Sequence, residues 1–453
     1  MGRYDNISPV DYRYDPGIEL LTEKSRITYQ LKVEAALAKG LAEFGVCTKE
    51  AAEEIGAACK KVTPEEVYEE ESKTKHDIRS LVNCIARNVT DSSKPYVHLT
   101  ATSEDIKLTA ESLRMKDAIL KHIIPDLKQL ETTIIKKALE NKDIVQVGRT
   151  HGQHGIPITF GFALSEYVSR LGTRIIRLQQ AAENLKGQMS GAMGAYNASS
   201  LFIEDPIAFE TFILKELGLE PATHSTQILE PEYMADLIHS IISCFGVIAN
   251  LADDMRHLQR TEIGEVAELF EKDQVGSSTM PHKRNPWHFE NIKSLYKVTL
   301  PRIITSYLDQ VSEHQRDLSN SASSRFIPEI LAIFDFASRR TDKHMSALVV
   351  DKERLEANLS ISKEMVIAEP SYLLLASLGH PEAHEYVRKK TLESQKKKRK
   401  LSELIFEDKE ISRYVDKLTD EQKKILADPE RYIGKSVEKC VAVCSYWKKE
   451  LDI

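Results

Sequence analysis

Leu164, Val168, Leu171, Ile175, Leu178, Ala182 and Leu185 recur at alternating spacings of four and three. On an α-helix that spacing places every one of them on a single stripe, and on a strand it would scatter them over both faces. A stripe this long predicts a long helix packed in a bundle. Leu120, Leu127, Leu130, Ile134 and Ala138 repeat the pattern, with Pro125 predicting a kink. Further long helices are expected over about 231–262 and 288–318. Alternating strand patterns are scarce. The expected fold is all-α, with three helical domains and a central bundle of long helices. The expected divisions are an N-terminal helical domain over 1–105, the long-helix bundle over 106–356 and a C-terminal helical domain over 357–453.

Composition narrows the class. Of 453 residues, 42% are hydrophobic and 29% charged, the profile of a soluble globular protein and not of a disordered chain. No stretch approaches the roughly 20 uncharged apolar residues of a membrane span, and the N-terminus lacks a hydrophobic signal core. Gly2 follows Met1, but the next residues fit a myristoylation site poorly. A cytoplasmic chain without a membrane partner is expected. The six cysteines form no CxxC pair. Cys440 and Cys444 share a helix face without other ligands to complete a zinc site, so reduced thiols are expected. A net charge of -7 disfavours nucleic acid as a partner while leaving room for a local basic pocket. The basic run at 396–400 reads as a solvated helix face.

Four polar islands interrupt the helical text. The first joins Lys73–Ile78 to Val97–Asp105 and supplies His76, Asp77, His98, Thr102 and Ser103. Thr102 with Asp105 reads as a capping box, and the same helix start offers free N–H groups to an anion. The second, residues 147–159, sets Thr150, His151 and His154 among glycines. An HxxH pair suits a metal, but no Glu or Cys stands at ligand spacing. Acid/base work by one histidine is favoured, with a structural role for both as the alternative. The third, residues 276–286, gathers Gly276, Ser277, Ser278, Met280, Pro281, Lys283, Asn285 and Pro286, with Glu290 following. So many donors and two prolines favour an anion-binding loop over an ordinary turn. The fourth, residues 314–326, spaces Arg316, Ser321 and Arg325 either to clamp a phosphate or to solvate a helix end.

The third island resembles the signature of the fumarase/aspartase superfamily, roughly G-S-S-x-M-P-x-K-x-N-P, at every fixed position from Gly276 to Pro286. The blocks "TATSED" (100–105) and "GRTHGQH" (148–154) are similar to its two companions. Within the superfamily the chain looks most like the adenylosuccinate lyase family over nearly its whole length. Arg13-Tyr14, His76-Asp77, Ser225-Thr226-Gln227 and the stretch 258–286 carry that likeness. The sequence departs from the family at Thr100, where many members have glycine, at Pro231 and Glu232, and at Asn291.

The resemblance implies an all-α homotetramer whose active sites are shared between subunits. It implies β-elimination of fumarate from adenylosuccinate, giving AMP, and from succinylaminoimidazole carboxamide ribotide, with no cofactor and no metal. It assigns Ser277 as the base, although serine is a poor base by its intrinsic acidity, and His151 as the general acid, with Glu290 as its carboxylate partner. Lys283 and Asn285 would hold the carbanion's charge. His76, Asp77, His98, Thr102, Ser103, Thr150, Gln227, Ser278 and Met280 would bind the substrate, and Arg13, Tyr14, Arg316, Ser321 and Arg325 its nucleotide end. A carboxymuconate cycloisomerase-like member, whose substrate has no phosphate, and a non-catalytic helical scaffold are the competing readings.

Overall fold

The structure, a computed structural model, describes residues 7–270 and 276–453. Gly2 and the stretch 271–275 that leads into the signature lie outside the described residues. The expected all-α class holds. Long helices cover Ile124–Glu140, Phe160–Glu183, Glu232–Leu258 and Ile327–Ser346, and the strands are few and short.

Residues Leu164 to Ala182 of the stripe form the buried face of Phe160–Glu183, and Leu185 follows just past its end. All seven residues from Leu164 to Leu185 are at most 1% exposed. Each such side chain removed from water is worth about 1.5–3 kcal/mol, which explains why the pattern is so regular. This helix runs antiparallel to Glu232–Leu258. The polar links between them step backwards along one chain as they step forwards along the other: Tyr167 to Asp254, Arg170 to Asn250, Arg174 to Ser243. Glu232–Leu258 also has the length and hydropathy of a membrane span, which the sequence reading did not expect, but 61% of its apolar window is buried inside the protein. Phe245 on this helix is fully buried against Tyr296 and Phe334, with ring centroids 5.5 and 5.6 Å away.

One expectation needs correction. The helix expected over 288–318 is two helices, Trp287–Thr299 and Arg302–Leu308. Pro301 stands between them, where its missing N–H and its ring end a helix. Residues 309–322 are then irregular. Next to Pro125, where the sequence predicts a kink, a π-helical turn over Ile119–Ile123 lies between helices Ser103–Ala118 and Ile124–Glu140. One wider turn before the proline absorbs its lost hydrogen bond. At 396–400 the basic run is exposed, as expected. It forms the end of helix Ala383–Lys397 and a left-handed cap at Lys398 (φ 54°).

The chain forms two compact units, each assembled from separated segments. The first comprises 1–128, 173–249 and 292–340. Part of its core gathers around helix Glu23–Glu43, with Leu37, Leu41, Ile85, Ile106 and Phe209 almost wholly buried. The second comprises 129–172, 250–291 and 341–453. One apolar cluster there packs Ile367, Leu401, Ile405 and Ile411.

Candidate active site

In the first unit the substrate-binding candidates converge on helix starts. His76 is the N-cap of helix Asp77–Arg87, its Nδ1 accepting the Arg79 N–H at 3.2 Å. The Asp77 side chain reaches Lys107 Nζ at 3.4 Å, and Lys107 also pairs with Glu104 at 2.8 Å. Burial pushes the Asp77 carboxyl up, but Lys107 and the Ile78 N–H outweigh it and hold it below the usual range.

Thr102 caps helix Ser103–Ala118 in the expected capping box with Asp105. Asp105 is fully buried and does more than cap. Its carboxylate accepts from the N–H groups of Thr102 (2.8 Å), Ser190 (3.2 Å) and Gly191 (3.1 Å) and from Gln188 Nε2 (3.2 Å). Burial raises it to about 6 against the pull of these donors. Gln188 Nε2 also donates to the Gln227 carbonyl at 2.9 Å. Asp105 thereby ties the "TATSED" block to the "STQ" block, which lies far along the chain. His98 joins the same region. Its Nδ1 lies 2.7 Å from Glu34 Oε1. Burial pushes the imidazole down, but Glu34 and, more weakly, Asp105 push it up further, so the net shift is upward.

Thr100, between these residues, has φ 73°. A β-branched residue in the left-handed region is strained. The departure from glycine noted in the sequence therefore falls where the backbone itself favours glycine.

A cavity of about 470 Å3 in this unit is lined by Asp77, Lys107, Ser321 and Arg325 together with apolar residues that include Leu108, Met234 and Ile330. Arg316 is not among its lining residues. It sits at a strained turn (φ 78°). Arg325 reaches Glu23 at 3.5 Å. Tyr14 packs edge-on against Phe336 with centroids 5.3 Å apart, and Arg13 beside it is exposed.

The second unit holds the residues assigned to proton transfer. The "GRTHGQH" block is a hairpin. Strand β1, Val145–Thr150, pairs antiparallel with β2, Gln153–Thr159. The two residues between them, His151 and Gly152, have φ 56° and 73°, the pair of positive values that a tight type I′ turn demands. His151 is thus displayed at the tip, exposed to solvent. His154, opposite Arg149, bonds Ser362 Oγ through Nδ1 at 2.8 Å. Burial, with Arg149 adding to it, lowers the His154 imidazole.

The signature loop closes on itself. Asn285 Nδ2 donates to the Gly276 carbonyl at 2.8 Å. A Cβ on Gly276 would lie 2.2 Å from the Lys283 carbonyl oxygen, so only glycine permits that closure. Ser277 Oγ accepts the N–H groups of Met280 (3.0 Å) and Thr279 (3.3 Å). Lys283 and Glu290 are exposed, and Glu290 lies in the first turn of helix Trp287–Thr299. Among the described residues, His151 and Glu290 do not pair with each other.

One cluster escaped the sequence reading: Glu268, His288 and His344 hold their ligand-type atoms within 4.8 Å of one another. The two imidazoles stack face to face with centroids 3.6 Å apart. Two histidines bound to one tetrahedral ion hold their ring centres about 5 Å apart, so this arrangement does not fit a shared metal.

Comparison with known proteins matches these features. The model of the lyase family covers residues 9–299, and that of the adenylosuccinate lyase C-terminal region covers 312–433. The chain is 37% identical to the adenylosuccinate lyase of Methanocaldococcus jannaschii over 438 residues, 94% of this chain and 93% of that one. It is 36% identical to that of Pyrococcus horikoshii over 448 residues, 97% and 98% of the two chains. Among solved structures, 3-carboxy-cis,cis-muconate lactonizing enzyme from Pseudomonas putida superposes with a TM-score of 0.81 at 25% identity, covering 95% and 96%. A fumarate lyase from a Mesorhizobium species shares the fold with a TM-score of 0.82 at 23% identity, covering 94% and 96%. Identity of 36–37% over nearly the full length of both chains, together with the signature loop and its two companion blocks, leads to one conclusion: the chain belongs to the adenylosuccinate lyase family of the fumarase/aspartase superfamily.

Proposed function

We propose that this protein cleaves adenylosuccinate to AMP and fumarate in purine nucleotide biosynthesis, with Ser277 and His151 moving the protons. Ser277 removes a proton from the succinyl carbon next to a carboxylate, leaving an aci-carboxylate carbanion. Collapse of that carbanion breaks the C–N bond, and His151 protonates the departing nitrogen. Succinylaminoimidazole carboxamide ribotide carries the same succinyl arm and undergoes the same elimination.

The observation that carries this assignment is the state of Ser277 Oγ, which already accepts two backbone N–H groups. A serine is a poor base, and donors aimed at its oxygen favour the alkoxide. Lys283 nearby in the loop adds positive charge for the carbanion's carboxylate. The cavity shared by Asp77, Ser321 and Arg325 supports a nucleotide end held in the first unit. Binding energy from that remote end fixes the reacting arm. Glu290 partners His151, and Arg13, Tyr14 and Arg316 complete the nucleotide contacts. The active enzyme is a cytoplasmic homotetramer whose sites draw His151 and Ser277 from different subunits, which accounts for a chain in which His151 and Glu290 do not meet.

Incubation with adenylosuccinate tests the reading, following loss of its ultraviolet absorbance and appearance of fumarate. Ser277→Ala and His151→Ala should each lower kcat by about 10²–10⁴-fold. A folded wild-type assembly that releases no fumarate would overturn it.

A further inference from the structure

Glu265 is fully buried, yet its carboxylate is saturated. Oε1 accepts from Arg149 Nη2 at 2.6 Å and from Asn358 Nδ2 at 2.8 Å. Oε2 accepts from Arg149 Nη1 at 3.1 Å and from Gln146 Nε2 at 2.7 Å. Gln146 and Arg149 both lie on β1, three residues apart. In a regular strand an odd spacing points two side chains to opposite faces. The hairpin's register shifts between Val147 and Arg149, and that bulge turns both side chains toward one carboxylate. Gly148 occupies the shift, where a Cβ would lie 2.7 Å from the Ile156 carbonyl oxygen.

Glu265 is itself held in place. Its carbonyl accepts the Asp351 N–H at 3.0 Å, and Asn358 Nδ2 bonds the Ile263 carbonyl at 2.9 Å. The hairpin is fixed to the same helix, Lys352–Val366, by the His154–Ser362 bond and by Val147 packed with Leu359 and Val366. Arg149 is two residues from His151 along a strand that ends at Thr150.

We propose that Glu265 is a positioning residue for the elimination: through its fork with Arg149 and its bond to Gln146 it sets the direction in which the hairpin presents His151. The proposal rests on His151 being the general acid. Bidentate pairing fixes the guanidinium plane as well as its place, and a misplacement of about 1 Å in a reacting group costs on the order of 100-fold in rate. The substrate's nucleotide end is assigned to residues of the other unit, so its binding should not depend on Glu265.

The test measures kcat, KM and AMP affinity for wild type, Glu265→Gln and Arg149→Lys at matched oligomeric state. Glu265→Gln keeps the volume but turns an amide NH2 toward donors. Its kcat should fall by about 10–100-fold, while KM and AMP affinity stay within about threefold. Arg149→Lys keeps the charge without the fork and should show a smaller loss of the same kind. If Glu265→Gln fails to fold, Arg149→Lys and Gln146→Ala decide the matter by the same split. Wild-type kcat in either folded variant overturns the proposal, and so does AMP affinity falling in step with kcat. An inactive wild type would instead refute the functional reading on which the proposal rests.

Discussion

His98 Nδ1 lies 2.7 Å from Glu34 Oε1, and Glu34 is only 1% exposed. A buried carboxylate needs such a partner, and the pair anchors the first polar island to helix Glu23–Glu43.

The His98 imidazole is raised in the folded protein: burial opposes the charge, but Glu34 and Asp105 favour it more. In the unfolded chain its pKa is about 6.5. The folded state therefore holds the proton more tightly, so the pair's contribution is fully present below the unfolded value and is lost as pH rises through the folded one. Glu34→Gln should lower stability by about 1.5–3 kcal/mol on the acid side. That gap should narrow as the pH rises above the unfolded value of about 6.5. Urea midpoints at fixed protein concentration measure it, and a gap independent of pH would contradict the assignment.

Two residues beyond His98, Thr100 holds φ 73°. Left-handed backbone costs an L-residue about 1–2 kcal/mol, and glycine returns about 0.5–1 kcal/mol of that through its extra unfolded-state freedom. Thr100→Gly should stabilise the protein by up to about 1 kcal/mol. Thermal unfolding at constant concentration checks this. A lower transition temperature would mean that the threonine side chain contributes more than its backbone costs.

How much of this was legible in the sequence depended on whether a signal lay within one element. The stripe from Leu164 to Ala182 was readable because one helix carries all of it, and Leu185 continues it just past the helix end. Glu34 was readable in principle, since it falls on the same helical face as Ile27, Leu31 and Leu41, where a carboxylate is out of place. The hairpin was hidden. Its bulge breaks the alternation after Val147, and its tip is His-Gly where a turn of this type is usually marked by Asn-Gly. The candidate site residues stand out by motif, but the connections between them do not. That Asp105 reaches Ser190 and Gln188, or Glu265 reaches Arg149, is decided by tertiary packing, and no local period reports it.

The signature loop depends on a close approach. A Cβ at Gly276 would meet the Lys283 carbonyl oxygen, a backbone atom, and the Phe270 ring at 2.8 Å. Neither can yield without opening the loop that Asn285 closes. Gly276→Ala should therefore lower kcat by about 100-fold or more through displacement of Ser277. Its effect on stability should stay near 1 kcal/mol, because most of the loop is exposed. Parallel measurement of fumarate release and urea midpoint separates the two effects. A loss of stability large enough to unfold the protein would assign the glycine to the fold instead of the site.

The proposed sharing of active sites between subunits makes a prediction that no single-chain site can meet. Neither His151→Ala nor Ser277→Ala should turn over substrate at more than about a hundredth of the wild-type rate when assembled alone. Mixing the two under conditions of subunit exchange forms hybrids in which some sites draw His151 from one chain and Ser277 from the other. Such sites are intact, so activity should reappear on mixing and grow with exchange time. If His151 and Ser277 of one chain served the same site, every site in every hybrid would lack one of them, and no activity would return. Size-exclusion chromatography before and after mixing shows whether exchange took place, so a failure to recover activity in exchanged assemblies would count directly against sites shared between subunits.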